Sequence, residues 1–82
     1  MDDFPIGERL RKARRRLRLS QTAVSAYIIL QTRKDYNPGR ISEMERGLRV
    51  IPTPILQIIA VMFQKVEELR KQRRHWTDVF FL

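Results

Sequence analysis

The chain contains no cysteine and a single histidine. That composition excludes a disulfide framework, a thiol nucleophile and the usual Cys/His zinc sites. Glycine is scarce, at three residues, and none forms a phosphate-cradling loop, so a nucleotide-binding enzyme is not expected. Long apolar runs are missing too. The longest, Ile28-Ile29-Leu30 and Ile58 to Phe63, are far too short to span a bilayer. Met1-Asp2-Asp3-Phe4-Pro5 is acidic where a secretory signal would be basic and then apolar. Negative charge is under-represented: seventeen Lys and Arg face nine Asp and Glu, a formal charge of +8 on 82 residues. An excess of this kind points to a polyanionic partner, nucleic acid first and an anionic membrane surface second. The apolar fraction, 43%, is that of a folded domain rather than a disordered basic tail. A reducing, cytoplasmic setting is the expectation. A chain this short is near the lower limit for a self-sufficient core, so efficient packing or dimerisation is expected.

The periodicity is helical throughout. Ile6, Leu10, Ala13 and Leu17 fall on one face of a first helix. The rest of that segment is one-sidedly basic: Arg9, Arg11, Lys12, Arg14, Arg15, Arg16 and Arg18 against Glu8. Ser20 is a good N-cap for a second helix, which Val24 and Ile28 carry to about Thr32. Arg33-Lys34-Asp35-Tyr36 reads as a polar connection. Asn37-Pro38 is the clearest start signal, a cap followed by proline at the first helical position. The third helix should run from Pro38 to Arg46, with Ile41 and Met44 inward and Gly47 as terminator. Leu48 to Pro52 is an extended connection, and Thr53-Pro54 repeats the start signal. Ile55, Ile59, Met62, Val66, Leu69, Arg73, Trp76 and Phe80 then alternate by four and three, a heptad stripe interrupted only at Arg73. That stretch is either one long helix or two that meet with a bend near Phe63-Gln64.

Three pieces occur in order: Ile6-Gly7-Glu8-Arg9-Leu10-Arg11, Leu19-Ser20-Gln21 with Val24, and Ile41 to Gly47 followed by Arg49 and Pro52. Over roughly residues 6–69 this set resembles the lambda-repressor-like (Cro/cI, or XRE) helix-turn-helix family. The sequence departs from the pattern between Val24 and Ile41, where the interval is longer by about six residues and lacks the usual turn glycine. Residues 29–36 therefore read as a surface insertion. The resemblance implies an all-α domain of about five helices with an extended C-terminal helix and an apolar tail. Residues 1–69 would form the DNA-binding domain, and residues 70–82 a C-terminal extension used for dimerisation.

The same resemblance implies a sequence-specific regulator of double-stranded DNA, a repressor acting as a homodimer on a pseudo-palindrome. The third helix would enter the major groove. Asn37, Gly39, Arg40, Ser42 and Glu43 are the candidates at base edges, and Arg40 suits guanine while Glu43 suits cytosine. Gln21, Arg33, Lys34, Arg46 and Arg49 are the candidates at backbone phosphates. Arg14 and Glu45 match a structural ion pair between the first and third helices. Val66, Leu69, Trp76, Phe80, Phe81 and Leu82 are the dimer candidates. No cofactor, no metal and no catalytic constellation is expected, and His75, alone in a basic run, reads as a surface residue. The competing reading is an antitoxin-like interaction module that uses the C-terminal helix and tail on another protein. Membrane binding is weaker still, because residues 65–76 offer only Val66, Leu69 and Trp76 for insertion.

Overall fold

A computed structural model describes residues 5–81, with side chains as far as Lys71. Four helices follow one another: α1 (Ile6–Arg16), α2 (Gln21–Thr32), α3 (Pro38–Glu45) and α4 (Thr53–Phe81). There are no strands among the described residues.

Local chemistry sets the boundaries. Backbone amides of Glu8 and Arg9 both donate to the Pro5 carbonyl, at 3.1 Å each, and start α1. Its end is a Schellman motif: Arg18 N–H donates to Arg15 O at 2.9 Å and Leu19 N–H to Arg14 O at 3.1 Å. Arg18 holds the left-handed position there, at φ 58°. The Ser20 hydroxyl accepts from Ala23 N–H at 2.9 Å and caps α2. Asn37 caps α3 through its side-chain oxygen, which accepts from Arg40 N–H at 3.0 Å, with Pro38 in the first turn. Gly47, at φ 75°, ends α3 in a second Schellman motif, with Leu48 N–H donating to Glu43 O at 2.9 Å.

One expectation needs correction: the described residues form four helices rather than about five. α4 runs unbroken for 29 residues, because no Gly or Pro follows Pro54 to bend it near Phe63-Gln64. The helix also crosses residue 70 without interruption. α2 ends at Thr32, as its spacing predicts, so the 29–36 segment is half helix and half connection, the connection running from Arg33 to the cap Asn37. That connection is not polar throughout. Tyr36 is buried; its carbonyl accepts from the Ser25 hydroxyl, and its own hydroxyl lies 3.4 Å from Met44 Sδ.

The core is where the four helices meet. Val24, Ile28, Ile41, Met44 and Ile59 are the largest fully buried side chains. Each contributes about 1.5–3 kcal/mol by leaving water. Leu10 and Leu17 are buried as the α1 stripe requires, whereas Ile6, at its start, is 50% exposed. On α4 the stripe is core as far as Met62, and Val66 packs partly against it. Leu69 is 62% exposed, so at this position the stripe is no longer covered. The overall dimensions agree. The radius of gyration is 14.7 Å, against about 12 Å for a compact domain of this length.

Candidate nucleic-acid interface

α3 is only 8 residues long and cannot hold itself together in water. Three other elements brace it. Met44 and Ile41 face the core from below. At its C-terminal end Glu45, 5% exposed, meets Arg14 of α1, 8% exposed. Arg14 Nε donates to Glu45 Oε2 at 2.6 Å and Arg14 Nη2 to Glu45 Oε1 at 3.0 Å, a bidentate pair. Arg14 Nη1 also donates to the Leu19 carbonyl at 2.7 Å, and Gln21 Nε2 donates to Glu45 Oε1 at 3.0 Å. One carboxylate thereby ties α1, the α1–α2 turn, α2 and α3 together. Among the described residues, no buried side-chain polar atom lacks a partner.

Gly7 makes this approach possible. It is buried on α1, and a Cβ built on it would lie 2.1 Å from the Met44 carbonyl oxygen. The α1 backbone therefore lies directly against the α3 backbone. Gly7 belongs to the Ile6–Arg11 motif, and its spacing alone implies no packing role. A glycine inside a helical pattern, away from any cap, is the signal that would have found it. Tyr36 and Ser25 were also missed, and neither stands out by periodicity.

The outward side of α3 follows from its buried side. Ile41, Met44 and Glu45 point inward. At 100° per residue, Gly39, Glu43 and Arg46 lie opposite them, with Arg40 and Ser42 on the flanks. Gly39, Arg40 and Arg46 are exposed, and Ser42 and Glu43 are half-buried. Arg40 has its guanidinium 5.2 Å from the centre of the Tyr36 ring and reaches the Asp35 carbonyl at 3.5 Å. Glu43 Oε1 lies 3.4 Å from Arg49 Nη2, which tempers the one negative charge on this surface.

Asn37 is the α3 cap that the sequence predicts, its side-chain oxygen accepting from Arg40 N–H. The Gln21 side chain turns toward Glu45, to which its Nε2 donates. Arg33 and Lys34 are exposed in the connection ahead of α3, at the opposite end of α2 from Gln21. Of the dimer candidates, Val66 is half-buried against its own core and Leu69 is exposed. The side chains of Trp76, Phe80, Phe81 and Leu82 lie outside the described residues.

Comparison with protein-family models, with curated proteins and with solved structures returns no match for this chain. Among the described residues, no helix is long and apolar enough to cross a membrane. No cluster of acidic or histidine side chains among them is placed to hold a metal ion.

Proposed function

We propose that this chain is a sequence-specific double-stranded DNA-binding regulator of the lambda-repressor-like helix-turn-helix kind, a repressor that binds a pseudo-palindromic operator as a homodimer. One observation carries the reading. A short capped helix is braced from behind by a buried ion pair shared with two other helices, and it turns Gly39, Arg40, Glu43 and Arg46 outward. A helix held this rigidly by its neighbours, with its polar side unpacked, suits insertion into a major groove about 12 Å wide.

In this reading α3 lies in the groove and α2 crosses the phosphates with its N-terminal amides toward them. Arg40, held against Tyr36, reads guanine through two parallel hydrogen bonds. Glu43 accepts from the cytosine amino group, and Arg49 offsets its repulsion from nearby phosphates. Gly39 lets the backbone come close to the base edges. Arg46 and Arg49 bind phosphate and set the register. Two copies place their α3 helices about 34 Å apart, one turn of the duplex.

Base reading and backbone binding are separable by mutation. Arg40→Ala should lose about 1–3 kcal/mol of discrimination at one base pair and little elsewhere. Arg49→Ala should weaken all duplexes alike and reduce the salt slope by about 0.9. Competition binding with single-base variants of a bound site measures both. An equal loss on specific and random duplexes for Arg40→Ala would remove it from the reading set.

A further inference from the structure

α1 and α4 line two grooves together, in the same order along each helix. Ile6, Leu10 and Ala13 share one groove with Leu56, Ile59 and Phe63. Farther along, Arg16 and Leu17 share a second groove, of about 260 Å³, with Glu67, Arg70 and Lys71. Low numbers face low numbers and high face high. α1 stops at Arg16, whereas α4 continues to Phe81. The end at which α1 stops is also the end at which α2 begins, since Arg14 reaches the Leu19 carbonyl and Ser20 caps α2 there.

One pole of the molecule therefore collects cations from two helices, the exposed Arg16 and Arg18 at the end of α1 and the exposed Arg70 and Lys71 on α4. The α1 C-terminus favours cations through its dipole, which accounts for arginine in its last turn. It does not account for Arg70 and Lys71 being brought to the same groove from another helix. Of the groove's lining, Arg16, Arg70 and Lys71 are cationic and Glu67 is the carboxylate, so cations outnumber carboxylates there. In sequence Arg73 and Arg74 follow at once.

We infer that this pole is a second phosphate-binding surface, which holds the backbone of duplex DNA outside the stretch read by α3, with α4 as a basic rail along it. The chemistry favours nucleic acid over a lipid surface. Leu17 in the groove is buried, and Leu69 is the one exposed large apolar side chain on α4 between Lys65 and Lys71, too little for insertion. The inference rests on the DNA-binding reading for the identity of the polyanion, but not on base reading by α3. It also gives the C-terminal extension a role besides pairing.

The test uses the full chain and a triple variant, Arg16→Ala/Arg70→Ala/Lys71→Ala. All three side chains are exposed, so its thermal melt should match the parent, and circular dichroism checks this. Binding is titrated against salt on a mixed-sequence duplex and on a selected-site duplex. The slope of log affinity against log salt should fall by about 2.7, at about 0.9 per lost phosphate contact. Affinity for the two duplexes should drop by the same factor, leaving their ratio unchanged. An unchanged slope would overturn the inference, and with the duplex ratio intact it would leave base reading by α3 standing. A reduced slope in a protein that shows no sequence preference would uphold this pole and overturn base reading instead. Binding to phosphatidylserine-containing vesicles that the variant loses, with no change on duplex, would assign the surface to lipid and overturn the inference.

Discussion

Gly7→Ala should destabilise the fold by about 3 kcal/mol or more, although alanine is intrinsically the better helix former by about 1 kcal/mol. The reversal comes from the contact behind it. A methyl group at position 7 would sit 2.1 Å from the Met44 carbonyl oxygen and 3.0 Å from that of Glu45. Both atoms belong to the backbone of α3, so no side chain can rotate out of the way. α1 and α3 would have to separate, and the Arg14–Glu45 hydrogen bonds span that same gap. A domain of this length has a total stability of roughly 4–12 kcal/mol, so the loss is a large share of it. At about 4–8 °C per kcal/mol, the melting temperature should fall by about 12 °C or more. Gly47→Ala is the comparison. It meets nothing within 4 Å and suffers only from its φ of 75°, a cost of about 1–2 kcal/mol. Thermal or urea melts rank the two. A Gly7→Ala protein as stable as the parent would mean that α1 and α3 are not in backbone contact.

Glu45→Ala should cost about 3–5 kcal/mol, because it strands the Arg14 guanidinium in a buried site. The side chains of the pair are 10% and 2% exposed, so water cannot take over the lost bonds without opening the domain. Three donors converge on this carboxylate, Arg14 Nε, Arg14 Nη2 and Gln21 Nε2, and all lose their acceptor at once. Replacing both charges tells a different story. Arg14→Met/Glu45→Leu removes the buried ions together, and apolar replacement of a buried pair is often neutral or stabilising. The double variant should therefore recover most of what Glu45→Ala loses, as urea melts would show. A loss below about 1 kcal/mol for Glu45→Ala would place the pair among ordinary surface ion pairs.

Much of this fold was legible because its helix boundaries are written in local chemistry. Ser20, Asn37-Pro38, Gly47 and Thr53-Pro54 each mark an end within a residue or so, since a cap is decided by its nearest neighbours. The inward stripe of α3 and the first half of the α4 stripe followed from spacing alone. What escaped were consequences of how helices approach one another. Gly7 matters because α3 lies against it, and nothing within α1 says so. Tyr36 sits in a run of polar residues, yet it is buried because the lengthened α2 brings Ser25 and the connection together. The end of α2 at Thr32 was legible, since Ile29, Leu30, Gln31 and Thr32 contain no helix breaker. The Arg14–Glu45 pair joins residues far apart in sequence and was expected only through the family resemblance, not from any spacing.

At the interface, the outward set on α3 was largely anticipated, but its partners were not. Arg40 was expected as a free reader and is found stacked near Tyr36, which narrows the directions its guanidinium can take. Glu43, a base-edge candidate, lies 3.4 Å from the Arg49 guanidinium. Asn37 fills the capping role its sequence position predicts, and the Gln21 side chain donates to Glu45 within the protein. Base reading in the proposed complex therefore falls on Arg40, Ser42 and Glu43.

The central claim, that α3 reads duplex DNA, is tested most directly by selecting bound duplexes from a random-sequence pool with the purified full chain. The expected result is enrichment of one site with two-fold symmetry and half-sites about one helical turn apart, each containing a G·C pair whose preference disappears in Arg40→Ala. Retention of the pool without enrichment of any sequence, at a salt concentration where binding still occurs, would contradict it.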